Sequence, residues 1–155
     1  MRKQQAEAGD IVLLYGDESE ALTHPYLARA WAKVGADLRV PAPGQAKKVA
    51  MLGSLDHVTR QLIVHTSNLS MTALAARAHW LTVEWLPKYA PELNDIEVVW
   101  HDLKAHHLAH QTFADTDALD RAIRQAVDEL NAERMVVPLA DSRMVVMRAR
   151  PLVRG

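Results

Sequence analysis

Apolar positions occur along the chain first as short continuous runs and later as helical stripes. Ile11 to Leu14 are uninterrupted and are closed by Gly16, Asp17 and Glu18, the pattern of a strand buried on both faces. Asp17 is then expected at the strand's exit. The next segment, "HPYLARAWAKVGADLRVPAPG", begins and ends with proline-containing turns, and its middle suits either a short helix or a pair of short strands. Val49 to Leu55 and Gln61 to Thr66 are two further runs around the polar "DHVTR". They predict a hairpin with a short loop.

Helical spacing then takes over. In "SNLSMTALAARAHW", Leu69, Ala73, Ala76 and Trp80 fall on one face, with Ser67 or Asn68 as the cap. "LTVEWLP" alternates until Pro87 stops it and reads as another strand. Ile96, Val99, Trp100 and Leu103 mark one face of a helix reaching about residue 110. Leu119, Ile123, Val127 and Leu130 form the stripe of a second, capped by Asp115 or Thr116, with acids in the first turn where the helix dipole favours them. The last stretch, "RMVVPLADSRMVVMRARPLVRG", holds two short apolar runs, an edge hairpin or a loose tail. Strands first, helices afterwards and an alternation between them predict an α/β domain with a mixed sheet.

Composition narrows the classes. A chain of 155 residues, 49% hydrophobic and 24% charged, suits one folded domain and argues against disorder. Eighteen basic and nineteen acidic residues leave a net charge of -1, so any nucleic-acid contact must use local patches. One such patch is Arg143, Arg148, Arg150 and Arg154, which follow Asp141. The absence of cysteine excludes disulfides and thiolate zinc sites. No signal-peptide core or membrane-length apolar run is present, so a soluble, cytoplasmic protein without a membrane partner is expected.

Two carboxylates stand where sheet architecture can bring them together: Asp17 after the first run and Glu97 in the first turn of the helix at 96. Each also has a structural reading. Asp17 suits a turn after Gly16, and Asn94 with Glu97 has the spacing of a capping box, Asn94 capping the helix.

With their surroundings these residues resemble a known family. "LLYGDES" and "LTVEWLPKYAPELNDIEVVWHDLKAH" are similar to the first and last catalytic motifs of insertion-sequence transposases of the mariner superfamily, the DDE endonucleases with a ribonuclease H-like core. "RAWAKVGADLRVPAPGQAKKVAMLGSLD" resembles the family's strands after the first aspartate, and the likeness covers most of residues 9 to 135. The resemblance implies DNA cleavage and strand transfer with two divalent ions, Mg2+ or Mn2+, held by three carboxylates. It makes Asp17 the first ligand, touching both ions, and Glu97 the last. It also implies a ribonuclease H-like mixed sheet with flanking helices, transposon-end DNA as partner, and Lys88, Lys104 and His65 as candidate DNA contacts. Lys47 and Lys48 are weaker candidates for phosphate contact.

The family's middle ligand is an aspartate ending a buried strand shortly before a His-Thr-Ser-like helix start. Here "VHTSNLSMTALAARAHW" supplies that start with His65, Thr66 and Ser67, and Arg60 stands where the aspartate is expected. The implied fold is therefore incomplete, with one central strand and one helix missing: a truncated catalytic domain over residues 1–135 and a tail or edge hairpin over 136–155. Asp56, Glu18, Glu92 and Asp95 are the available substitutes, each poorly placed. An arginine in the middle position would repel cations, so a defective enzyme is expected. The chain also lacks room for the family's helix-turn-helix modules, so sequence-specific recognition of transposon ends is not expected from it alone. The alternatives are a non-enzymatic protein that pairs with a full-length transposase and a decayed remnant without function; a homo-oligomer or a full-length transposase is the protein partner the resemblance suggests.

His101, His106, His107 and His110 share one helix, and His106 and His110 have the spacing of a zinc pair. No following acid completes it. Trp80, Trp85 and Trp100 lie on apolar faces and are expected to pack rather than stack on bases.

Overall fold

The computed structural model describes residues 2–27, 29, 31–42, 44–66, 70, 72–73, 76, 81–87 and 91–136. Its elements are helix α1 (Arg2–Glu7), strands β1 (Leu14–Leu22), β2 (Lys48–Asp56) and β3 (Leu62–His65), and helices α2 (Ile96–Asp102) and α3 (Thr116–Val136). A 3-10 turn, Pro91–Leu93, precedes α2, and a π-helical turn, Leu103–His107, extends it. The protein is α/β, with flanking helices against a three-stranded sheet of order β1-β2-β3. Every pairing among the described strands is antiparallel.

β1 does not coincide with the apolar run that predicts a strand. It starts at Leu14, the run's last residue, and continues through "YGDESEAL". Nine residues of β1 pair in continuous register with nine of β2, from Leu14 opposite Asp56 to Leu22 opposite Lys48. That ladder of backbone bonds carries the strand through polar positions, so Asp17 lies in the middle of β1, not at its exit.

Cross-strand neighbours share a face. Tyr15, Asp17, Ser19 and Ala21 therefore project to the same side as Met51, Gly53 and Leu55 of β2 and Leu62 of β3. The core lies on this side, where Tyr15, Ala21, Met51, Leu55 and Leu62 pack with Ile96, Val99 and Trp100 of α2, with Leu103 of the π-helical turn, and with Leu119, Ile123, Val127 and Leu130 of α3. Both predicted helical stripes are fully used. Asp115 is the α3 cap, its Oδ1 accepting from the Ala118 N–H at 2.7 Å.

The predicted β2–β3 hairpin forms. Asp56 Oδ1 accepts from the Val58 and Thr59 N–H groups at 2.8 and 2.7 Å, and Arg60 turns the chain with a left-handed φ of 59°. The outer edge of β3 is closed by a side chain. Asn131 of α3 accepts from the Leu62 N–H and donates to the Leu62 carbonyl, both at 2.8 Å, supplying the two bonds a neighbouring strand would make.

Leu108 N–H reaches back to the Leu103 carbonyl at 3.0 Å, a five-residue step that widens the end of α2. On an α-helix these two leucines would point in widely different directions; the wider turn lets both be buried, at 0% and 1% exposure.

Two expectations differ from what is found. Residues 81–87 of "LTVEWLP" carry no regular secondary structure, and no described strand pairs with them. Alternation without a hydrogen-bonding neighbour does not make a strand, and Trp85 is 67% exposed rather than packed. Most of the helix predicted over 67–80, with its cap and Trp80, and nearly all of the 136–155 tail with its arginines lie outside the described residues. Among the described residues no helix is long and apolar enough to cross a membrane.

Candidate carboxylate site

The site is built where α2 crosses β1 and β2. Gly53, directly opposite Asp17, leaves the space that the Trp100 ring fills: a Cβ at Gly53 would lie 2.6 Å from Trp100 Cη2 and 3.0 Å from Ile96 Cδ1. Seated there, the indole Nε1–H donates to Asp17 Oδ2 at 3.1 Å. Lys104 follows Trp100 by about one helical turn, and its Nζ donates to Ser19 Oγ at 2.8 Å. Four residues of helix rise about 6 Å, and two residues of strand about 6.7 Å. The two contacts therefore form in register and lock α2 to β1.

Asp17 and Glu97 come close enough to interact electrostatically. Burial first, and the Glu97 charge second, push the Asp17 carboxyl above its ordinary range, against the pull of the Glu18 N–H and the Trp100 bond. Burial holds the Lys104 ammonium below its ordinary range, with Glu20, Asp17 and Glu97 opposing that shift. Beside Lys104 opens a cleft of about 410 Å³ lined also by Glu18, Ser19, Glu20 and Lys48. Glu20 and Lys48 pair across it at 3.0 Å.

Other candidates fall elsewhere. Arg60 is not at a strand end beside β1 but at the β2–β3 turn, where Nη1 donates to Asp95 Oδ2 at 2.9 Å and its carbonyl accepts from Arg134. Asp95 also faces Lys3 Nζ at 3.7 Å, so it serves a charge cluster at the start of α2. Asp56 is consumed by its own turn. His65 pairs in register with Leu52 and, through it, with Glu18. It therefore projects from the opposite sheet face to Asp17, two strands away. Lys88 lies outside the described residues.

Asn94 does not cap α2 with its side chain. Asp95, the residue flanking the helix, already has helical angles because the chain enters from a 3-10 turn, and no side-chain cap bond forms there. Asn94 Oδ1 is buried without a hydrogen-bond partner; its backbone carbonyl instead accepts from the Glu97 N–H at 3.1 Å. His106 lies in the π-helical turn and faces Asp102 at 3.8 Å, whereas His110 follows that turn with a left-handed φ of 60°; His107 sits between Glu129 and Glu133 of α3 at 3.5 and 3.8 Å.

Residues 60–120 are similar to the DDE superfamily endonucleases. The family model matches that stretch, under half of the chain, and the matched part contains Glu97, Trp100 and Lys104. Neither the curated proteins nor the solved structures include a match. The DDE-like segment thus supports a domain of DDE transposase type, and the sheet with its flanking helices is consistent with part of a ribonuclease H-like domain. Such endonucleases generally use divalent metals, and the donor set here fits them poorly. Among the described residues no group of three or more His, Cys, Asp or Glu side chains can hold an ion. One oxygen of Asp17 is already occupied by the Trp100 N–H, and a lysine ammonium stands two strand positions away.

Gly53 and Ser19 escape sequence reasoning. A single glycine inside a strand pattern is a signal of close approach, and Gly53 in "MLGSL" is such a glycine; nothing comparable marks Ser19.

Proposed function

We propose that this chain is a DDE-type transposase fragment of mariner-like ancestry whose phosphoryl-transfer chemistry is defective. The observation that supports the reading is the proximity of Asp17, held by the Trp100 N–H, to Glu97, with no group of three His, Cys, Asp or Glu side chains able to hold an ion among the described residues. In-line transfer between phosphodiesters needs charge on both the attacking and the leaving oxygen to be neutralised, and two carboxylates, one of them already accepting from Trp100, supply too few ligands. DNA remains the proposed partner, with Lys104 and Lys88 as its phosphate contacts. The test is nicking of supercoiled plasmid by the purified protein in Mg2+ and in Mn2+, beside Asp17→Asn. Equal background for both proteins is expected. Metal-dependent nicking that disappears in Asp17→Asn would overturn the defect.

A second reading, a non-enzymatic protein that pairs with a full-length transposase, is favoured by one surface. Leu27, Trp31, Val34 and Leu38 are 78%, 102%, 106% and 64% exposed in irregular backbone, and their spacing is that of a helical stripe. No described residue covers that stripe, and a partner chain would give it a buried face. Co-purification with a full-length transposase, lost on Trp31→Asp, is the outcome this reading expects; unchanged co-purification of the variant would refute it.

A further inference from the structure

β1 is an edge of the described sheet. Thr23 N–H donates to the Lys47 carbonyl and His57 N–H to the Leu13 carbonyl, both at 2.9 Å, which continues the β1–β2 ladder past each end of β1. The odd-numbered residues of β1 therefore turn their N–H and C=O groups toward β2, and Leu14, Gly16, Glu18, Glu20 and Leu22 turn theirs outward. At the far end the Tyr26 hydroxyl closes this edge, accepting from the Leu22 N–H and donating to the Glu20 carbonyl, both at 3.2 Å. Among the described residues no strand pairs with the edge. Its exposed side chains include two acids, Glu18 and Glu20, and Leu14 at the near end.

One segment of the chain is complementary to that edge. Residues 143–150, "RMVVMRAR", lie outside the described residues; they combine β-prone apolar residues with three arginines and contain no acid. α3 brings the chain to the matching end of the sheet. Arg134 near its C-terminus donates from Nη1 to the Arg60 carbonyl at the β2–β3 turn, which is the end where Leu14 pairs with Asp56. The stretch from 136 to 143 reaches at most about 23 Å. Crossing from β3 to the position beyond β1 takes roughly 14 Å, which leaves length for the step down from the helix layer. A strand entering there runs in the direction of β1.

We propose that residues 143–150 add to the outer edge of β1 of the same chain as a parallel strand. Setting Met144 beside Leu14 and Val146 beside Gly16 places Arg148 beside Glu18 and Arg150 beside Glu20 on one face, with Val145 beside Tyr15 on the core face. Pro151, which has no N–H to give a ladder, then falls beside Ala21, where Tyr26 already closes the edge. A slip of one residue would turn both arginines to the core face. The added strand covers an edge that would otherwise invite pairing between chains.

The chain has no cysteine, so a pair can be introduced without background. Leu14→Cys/Met144→Cys, with Leu14→Cys/Arg154→Cys as control, is oxidised in the full chain and resolved on a non-reducing gel. Amide exchange at Gly16 is followed by nuclear magnetic resonance in wild type, Met147→Ala and Met147→Pro, with circular dichroism to verify folding. In the proposed register the Gly16 carbonyl accepts from the Met147 N–H and the Gly16 N–H donates to the Val145 carbonyl. Rapid cross-linking within one chain is expected for the first pair and not for the control. Gly16 should be protected in wild type and Met147→Ala, and should exchange faster by on the order of tenfold in Met147→Pro, the scale of one lost hydrogen bond. An unprotected Gly16 in folded wild type would overturn the proposal, as would protection that survives Met147→Pro, which would mean another segment holds the edge. Cross-links formed only between chains would overturn it too, assigning the edge to a second copy.

Discussion

Gly53→Ala is the substitution that interrogates the site most directly without touching a charged group. The added methyl would lie 2.6 Å from Trp100 Cη2 and 3.0 Å from Ile96 Cδ1. Neither neighbour can step aside into solvent, since Trp100 is 4% and Ile96 0% exposed. Either α2 lifts from the sheet or the indole rotates, and each movement breaks the Trp100–Asp17 hydrogen bond. Overpacking a core of this kind costs about 1–3 kcal/mol, and a hydrogen bond to a charged group contributes about 1.5–3 kcal/mol. Alanine recovers about 0.5–1 kcal/mol of backbone entropy relative to glycine. The net expectation is a loss of about 2–5 kcal/mol, a large share of the roughly 5–15 kcal/mol that holds a domain together. Urea unfolding followed by far-ultraviolet circular dichroism measures it. A double-mutant cycle with Trp100→Leu locates the cause: most of the alanine penalty should vanish when the ring is gone, giving a coupling of at least about 1 kcal/mol. A Gly53→Ala protein within about 0.5 kcal/mol of wild type, or additive effects in the cycle, would refute the packing argument.

Two further outcomes follow from the same geometry. The folded protein holds the Asp17 proton more tightly than the unfolded chain does, so stability falls as pH rises from the ordinary aspartate range through the raised folded value, and remains lowered above it. Asp17→Asn should accordingly have a higher urea midpoint than wild type at pH 7, with the difference closing below about pH 4; a lower midpoint at pH 7 would contradict it. Asn131→Ala strips both bonds from the Leu62 backbone at the β3 edge, for an expected loss of about 1–3 kcal/mol in urea unfolding and faster amide exchange at Leu62. An unchanged Leu62 exchange rate would show that the edge is closed by something else.

Legibility divides along the range of the interactions. The stripes Ile96, Val99, Trp100, Leu103 and Leu119, Ile123, Val127, Leu130 could be read from periodicity, because an amphipathic helix needs only one apolar surface beneath it. The β2–β3 hairpin was equally readable, since its turn residues are local. The start of β1 was not. Its polar half becomes strand only because β2 pairs with it residue by residue, and "LTVEWLP" fails to become strand for want of such a neighbour. Asn94 and Glu97 have capping-box spacing, yet the preceding 3-10 turn removes the backbone conformation a cap requires. Arg60 counts to the position of a missing aspartate in the chain, and in space it belongs to a hairpin turn and to Asp95.

For the candidate site, the residue types at 17 and 97 and the motif around 91–104 were enough to nominate two acids and the helix bearing one of them. Their proximity, the seating of Trp100 over Gly53, its bond to Asp17 and the pinning of Lys104 by Ser19 depend on two elements about 80 residues apart lying parallel with matched rise. No local pattern encodes that match. It arises because burying the Trp100 face of α2 against the sheet sets both the position and the register of every polar group that rides on the same helix.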